Sequence, residues 1–352
     1  MLSYILWAGG AGLISSVGLV AAARYWAQRS MLLDHPNERS LHVRPTPRGG
    51  GIGIVVPICF AIGSVGVMVP ATKAAATWLA SVGLLIATVG LVDDVRGLPA
   101  VTRLVAHVSA GALVVAGIGV WRTFAWPGLL FVDLGWAAVP FTVLLVVGLT
   151  NAYNFMDGVD GIAGSQGFVA GFGWIGAGYA LQDPLLVVAG AVIAMASFGF
   201  LLFNWSPASV FMGDVGSSFL GFLLAALAVF AAPRSPATAT AGILFLWPFV
   251  FDTAFTFLRR VGRRENVLGA HRSHLYQRLV LTGVSHRTVA LLYGALATVG
   301  VAVGNAVARE AAIASRAGAL LIGALAAGLW LAVIWRERAV SAGLNPTQRQ
   351  VR

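Results

Sequence analysis

The chain is 352 residues long, 58% apolar and only 10% charged, whereas soluble domains carry about 25% Asp, Glu, Lys and Arg. With a mean hydropathy of +0.85, this composition excludes an ordinary water-soluble enzyme. Because a bilayer core takes about 20 apolar residues per helix, it implies an all-α polytopic membrane protein. The net charge of +10 would suit nucleic acid in a soluble chain. In a membrane chain a basic excess is a topology signal, and no nucleic-acid partner is expected. The 43 glycines fit helices that pack closely in lipid. Cys59 is the single cysteine, so no intramolecular disulfide can form and redox compartment is unreadable.

Apolar runs predict about eleven transmembrane helices, near 3–23, 51–70, 75–92, 102–120, 136–150, 163–181, 184–203, 217–232, 241–258, 289–307 and 317–335. Their connections alternate sides. One set comprises 24–50, 93–101, 151–162, 204–216, 259–288 and the tail from 336. Counting Arg103 at its edge, it holds 18 Lys or Arg, against 5 in the other set. The first set is therefore expected in the cytoplasm, with the N-terminus outside and the C-terminus inside. Ala21-Ala22-Ala23 resembles a signal-peptidase site, but no basic residue precedes the first span, which favours an uncleaved helix. With no repeat, low-complexity tract or soluble domain, residues 1–352 read as one integral membrane domain.

The 13 acidic residues are informative by position. Asp93, Asp94, Asp157, Asp160 and Asp214 all fall in the short inner loops or at the helix ends beside them. A bare carboxylate at the bilayer centre costs about 2.5–3.5 kcal/mol on insertion scales, so interfacial places are sensible, and solvated loop charges are one reading. Yet these loops are rich in Gly and Asn and contain one basic residue, Arg96. Acid concentrated without counter-charge on one membrane face reads more readily as a cation site.

In Asn151-Ala-Tyr-Asn154-Phe-Met-Asp157-Gly-Val-Asp160-Gly, polar groups recur every third residue. On a helix, Asn151, Asn154 and Asp157 would share an arc of about 120°. Phe203-Asn204 leads into Val210-Phe211-Met212-Gly213-Asp214-Val215-Gly216-Ser217, where a carboxylate and hydroxyl precede a helix whose N-terminal N–H groups suit an anion. Such oxygen ligands suit Mg²⁺, with Mn²⁺ as a substitute, and nothing offers the Cys and His of a zinc site. Asp93 and Asp94 are adjacent like charges, as in a base or metal ligand, or in a plain acidic turn. Arg103 and His107 follow on one helix face. Loop 259–288 contains Arg259, Arg260, Arg263, Arg264, Arg272, Arg278 and Arg287. Anionic lipid headgroups and substrate phosphate are both candidates for drawing such a loop. His271-Arg272-Ser273-His274 is a compact set of phosphate donors.

Phosphate donors, a carboxylate cation site and a membrane-embedded body imply two anionic reactants, one of them a lipid. A divalent metal plus arginines would overcome their repulsion, which is most of what phosphoryl-transfer catalysis requires.

At these residues the sequence resembles the polyprenyl-phosphate N-acetylhexosamine-1-phosphate transferases. That family, glycosyltransferase family 4, includes the phospho-MurNAc-pentapeptide translocase and the enzymes that initiate O-antigen and teichoic-acid assembly. The resemblance rests on Leu91-Val-Asp93-Asp94, the Asn151–Gly161 segment, Phe203-Asn204 with Val210–Ser217, the His loop at 271–274 and the Gly-rich Thr46-Pro47-Arg48-Gly49-Gly50-Gly51. It implies ten or eleven helices in the bacterial plasma membrane, with a cytoplasmic active site and a role in lipopolysaccharide or cell-wall synthesis. The implied substrates are a UDP-N-acetylhexosamine and undecaprenyl phosphate, in a body surrounded by membrane lipids and compatible with a homodimer. Asp214 would bind Mg²⁺ with Asn154 beside it. Asp93 would orient or deprotonate the lipid phosphate, assisted by Asp94. Asn151, Asp157 and Asp160 would frame the nucleotide, Phe211 would stack on uracil, and Asn204, Arg103, His271 and His274 would contact phosphates or sugar. A direct in-line displacement is expected, with Asp93 mainly an orienter.

The chain also departs from its relatives. Gly97 stands where some carry a third acid, and the His loop is shorter than the translocase's, which argues against a muramoyl-pentapeptide substrate and for GlcNAc or a deoxy relative. Position 107 holds His where relatives often have Gln. A transporter is the rival from another class. It would require ionisable groups at mid-span and inverted repeats, and only Asp252 and His107 are placed for that. A non-catalytic scaffold would have no reason to gather five aspartates on one face.

Overall fold

The computed structural model describes residues 1–36, 41, 44–266, 269 and 271–343. The chain is a helical membrane protein. Its described residues form thirteen α-helices and two short antiparallel ribbons. In order these are α1 (Leu2–Arg29), β1 (Leu33–Asp34), β2 (Thr46–Pro47), α2 (Ile52–Met68), α3 (Lys73–Arg96), α4 (Ala100–Gly117), β3 (Thr123–Trp126), β4 (Leu130–Asp133) and α5 (Ala138–Phe155). They continue as α6 (Ile162–Leu181), α7 (Pro184–Asn204), α8 (Asp214–Ala231), α9 (Pro236–Leu244), α10 (Trp247–Gly262), α11 (Leu275–Leu281), α12 (His286–Ala308) and α13 (Ala312–Ser341).

A helix stands at each of the eleven predicted spans, with one difference. The ninth is two helices, α9 and α10, bent by 73°. Pro248 sits in the first turn of α10, where its missing N–H breaks the i→i−4 ladder. The Gln166 side-chain amide donates to the Phe245 carbonyl at 2.7 Å, supplying a donor at the break. Eight described helices are long and apolar enough to cross a membrane, or nine if the bent pair counts as one. α2, with 17 residues, is shorter, and the Gly-rich α6 is less apolar.

The loops differ more than the spans. Between the fourth and fifth spans β3 and β4 form a hairpin that the sequence reading did not include, with Thr123 opposite Asp133 and Trp126 opposite Leu130. Gly128 turns it with a φ of +78°, open to glycine at little cost. α11 lies unpredicted inside loop 259–288, and β1–β2 inside loop 24–50. Positions 37–40 and 42–43 of loop 24–50, positions 267, 268 and 270 of loop 259–288, and the tail beyond 343 lie outside the described residues.

The bundle is built around α7 and α8. α7 packs on α6, α1 and α2, while α8 packs on α3, α5 and α9. Lipid offers helices no hydrophobic drive to associate, so close backbone approach has to supply the attraction. The α6–α7 contact shows this: a Cβ on Gly171 would stand 2.5 Å from the Ala194 nitrogen. In its most apolar stretch α8 is 94% buried, against 22% for α13. The body of α8 is thus held inside protein, whereas α13 offers most of its surface to lipid.

Candidate functional site

The ends of α5, α7 and α8 and the loops beside them meet in a cavity of about 240 Å³, walled by Asn154, Asp157, Asp160, Asn204, Phe211 and Asp214; Asp93, Asp94 and Arg103 are not on that wall. Asp214 is the first residue of α8, three residues before the predicted start of that span. Gly213 before it has a φ of +75°, and a Cβ there would stand 2.5 Å from the Asp94 carboxylate. The Asp214 Oδ1 accepts from the Asn154 amide at 2.9 Å, and that amide also donates to Ser217 Oγ at 3.0 Å. Arg103 NH1 lies 3.0 Å from Asp93 Oδ2 and 3.4 Å from Asp214 Oδ2, so one guanidinium bridges two carboxylates of different helices. The other Asp93 oxygen accepts from the Leu98 backbone N–H at 2.5 Å.

Asp94 has a different task from the one the resemblance implies. Its side chain is 1% exposed and is absent from the cavity wall. Its two oxygens accept from the backbone N–H groups of Asp214 at 2.9 Å and Val215 at 3.1 Å. A carboxylate there satisfies orphan donors and complements the positive end of the helix dipole. The expectation that the α8 N-terminus is open to a substrate anion is corrected: Asp94 takes its first two N–H groups.

Other expected residues are rearranged too. α5 ends at Phe155, so Asp157 leaves the helical face shared by Asn151 and Asn154. The Asn151 amide turns back to the Val147 carbonyl at 2.8 Å, as polar side chains in helices often do. Asn204 accepts from the Gly161 N–H and donates to the Val210 carbonyl, both at 2.9 Å. It ties the two loops of the wall together, with both ends of its amide engaged. Burial pushes the Asp157 carboxyl well above its ordinary pKa, and the charges of Asp214 and Asp94 push the same way. Burial would also raise Asp160, but the His286 ring at 3.4 Å and the Ala208 N–H at 3.2 Å hold it below the usual carboxylate range.

His271 and His274 do not reach the wall. The His274 Nδ1 lies 3.1 Å from Asp252 Oδ1, and the His271 Nδ1 lies 2.9 Å from Ser273 Oγ. Asp252 also accepts from the backbone N–H groups of Leu275 and Tyr276 at 2.8 and 3.0 Å and from the Tyr293 hydroxyl at 2.6 Å. A lone acid within an apolar span was the signal of a transporter. Here it anchors α11, and Gln277 of that helix lines the cavity.

The sequence reading missed Asp34, Gln277 and His286 on the wall and assigned Arg48 no role. Arg48 pairs with Asp34 at 2.8 Å and approaches Asp94 at 3.8 Å. Its signal was the Gly-rich motif around it. Asp34 and His286 had none, since tertiary folding alone brings them in.

The sequence profile of glycosyl transferase family 4 matches residues 76–232. A probable undecaprenyl-phosphate N-acetylglucosaminyl 1-phosphate transferase of Bacillus subtilis is 31% identical over 264 residues, 74% of this chain and 73% of its own length. The chain belongs to glycosyl transferase family 4. A decaprenyl-phosphate N-acetylglucosaminephosphotransferase of Mycobacterium tuberculosis is also 31% identical, over 319 residues, 79% of this chain and 78% of its own. A phospho-N-acetylmuramoyl-pentapeptide-transferase of Shouchella clausii is 37% identical over 202 residues, 52% of this chain and 60% of its own. The family 4 stretch runs from α3 through α8 and so contains Asp93, Asn154, Asp157, Asp160, Asn204 and Asp214. Arg48, Gln277 and His286 lie outside it and close the cavity from the remainder of the chain.

Proposed function

We propose that this chain transfers N-acetylglucosamine 1-phosphate from a UDP-sugar to undecaprenyl phosphate in a bacterial plasma membrane, with its cavity facing the cytoplasm, and so initiates a lipid-linked glycan. The observation that carries the reading is the cavity itself, where Asp157, Asp160 and Asp214 converge beside Arg48 at the inner ends of the helices. The activities for which the Bacillus and Mycobacterium relatives are named support the sugar and the polyprenyl acceptor. The pentapeptide reading rests on a shorter match and is less favoured.

Two phosphates 4 Å apart repel by about 4 kcal/mol per unit charge pair at an effective dielectric near 20, in a cavity already walled by acids. A hard cation suits this donor set. Mg²⁺ takes oxygen ligands and is usually held by one or two carboxylates plus substrate phosphates. Among the described residues no group of three or more His, Cys, Asp or Glu is arranged to hold a metal alone, which fits an ion shared with substrate. Asp214 and Asn154 would hold it, with Mn²⁺ as a substitute, and it would offset charge on the pyrophosphate.

The protein's own residues then position the reactants. Asp93 holds Arg103 with one oxygen and the Leu98 N–H with the other, which favours an orienting role over that of a free nucleophile. The lipid phosphate, with a second pKa of about 6, is mostly dianionic at pH 7 and needs little help from a base. Its oxygen attacks the β-phosphorus, the bond from that phosphorus to the bridging oxygen breaks, and UMP leaves with that oxygen. Phe211, which lines the cavity, would stack on the uracil.

The test is UMP release by purified protein given UDP-N-acetylglucosamine, undecaprenyl phosphate and Mg²⁺. Equal amounts of UMP and lipid diphosphate sugar are expected, and no UMP would refute the reading. A UMP burst without lipid acceptor would show a two-step route instead. Cysteines introduced at 97 and 209 should be labelled from the cytoplasm, and those at 73 and 235 from outside.

A further inference from the structure

The arginines of the last long loop do not converge on the carboxylate cavity. Arg259 and Arg263 at the end of α10, Arg278 on α11 and Arg338 on α13 line a separate groove of about 740 Å³. Among the described residues Glu337 is the one carboxylate lining it, and Arg278 forks onto it at 2.7 and 2.6 Å. Four guanidinium groups thus share a wall with one carboxylate, and Glu265 adds a second negative charge near Arg259. The Arg259 Nε and Arg278 NH1 are buried without a hydrogen-bond partner. Arg259 spends its NH2 on the Ser273 carbonyl at 3.0 Å. Buried polar groups are normally satisfied, so unpaired guanidinium N–H groups in a basic groove point to an acceptor that the described residues do not supply.

The remaining wall is apolar. Phe255 and Trp330 pack with ring centroids 6.0 Å apart. Beside the groove α10 and α13 expose Phe257, Leu258, Leu331 and Trp335. On a membrane protein that surface faces acyl chains. Guanidinium groups fork onto phosphate oxygens, and basic pockets between transmembrane helices take anionic headgroups.

We propose that this groove binds the phosphate headgroup of an anionic membrane phospholipid, with its chains lying along α10 and α13. Free phosphate would satisfy the arginines but leave the adjoining apolar surface unused.

The test is native mass spectrometry of the purified, delipidated full chain with phosphatidylglycerol, phosphatidylcholine of the same chains, undecaprenyl phosphate or inorganic phosphate. Phosphatidylglycerol should bind at least tenfold more tightly than phosphatidylcholine. R263Q/R338Q changes two exposed side chains and leaves the Arg278–Glu337 fork and the Arg259–Ser273 bond in place. It should weaken phosphatidylglycerol about tenfold, while E337Q, which removes the competing carboxylate, should tighten it. Equal binding of the two phospholipids, or no change in R263Q/R338Q, would overturn the proposal. Displacement by equimolar inorganic phosphate would overturn it in favour of a free-phosphate site, and preference for undecaprenyl phosphate in favour of a substrate-lipid site.

Discussion

Gln277 and Arg278 are successive residues of α11, yet the first lines the carboxylate cavity and the second the arginine groove. One helical step of about 100° separates two regions built on opposite principles. Around the cavity, Asp93 and Asp94 of α3 and Asp214 of α8 are held by backbone N–H groups and by Arg103. The helix that carries Asp214 is almost wholly buried. In the groove, long arginines stand on helix ends, one side formed by the peripheral α13. If both proposals hold, one chain handles phosphate in two ways. Where bonds are to be made, rigid carboxylates suit a shared cation. Where a charge is only to be held, flexible guanidinium groups meet it directly.

The largest effect should come from the cavity. Asp214→Asn should lower UMP release at least 1,000-fold, about 4 kcal/mol of transition-state stabilisation, with thermal unfolding in detergent unchanged. A loss under tenfold would remove Asp214 from the cation site and break the contrast. Next comes the anchor that α11 provides to both regions. Asp252→Ala orphans the Leu275 and Tyr276 N–H groups and the Tyr293 hydroxyl. Removing one partner of a buried polar cluster costs about 3–5 kcal/mol, which a lowered unfolding midpoint would register. An unchanged midpoint would deny Asp252 that role.

Asp94→Ala should cost about 1 kcal/mol of stability, as the loss of a helix N-cap does, and should lower activity less than Asp214→Asn. If it matched the latter, Asp94 would act on substrate and not through α8. The smallest effect belongs to the groove. R263Q/R338Q should keep UMP release in lipid-free detergent within twofold, about 0.4 kcal/mol. A larger loss would merge the two regions into one site.

The spans were legible because insertion into lipid demands apolar runs of fixed length, and helices stand at all eleven predicted positions. The broken ninth was not, although Pro248 was visible, because a proline breaks a helix only where the packing around it satisfies the freed backbone groups, as the Gln166 amide does by donating to the Phe245 carbonyl. Asn154, Asp157, Asp160, Asn204 and Asp214 of the wall were legible through their crowding in short Gly-rich segments, whereas Asp34 was not. Their individual roles were not. Asp93 and Asp94 are neighbours in sequence, but one pairs with Arg103 and the other caps α8. That division depends on which way successive side chains of a helix point once α8 is packed beside it.

The amino-acid sequence by itself determined that this is a helical membrane protein, which segments are apolar and where its carboxylates gather, since these follow from transfer free energies and local spacing. Only the tertiary structure decided that Asp94 serves the backbone, that Arg48 and His286 close the cavity, that His274 serves Asp252, and that Arg259, Arg263 and Arg278 of the last loop line a groove apart from the aspartates. Those outcomes turn on contacts between residues far apart in sequence. Hydrogen bonds form there only between groups that packing brings within about 3 Å, and no local pattern encodes that distance.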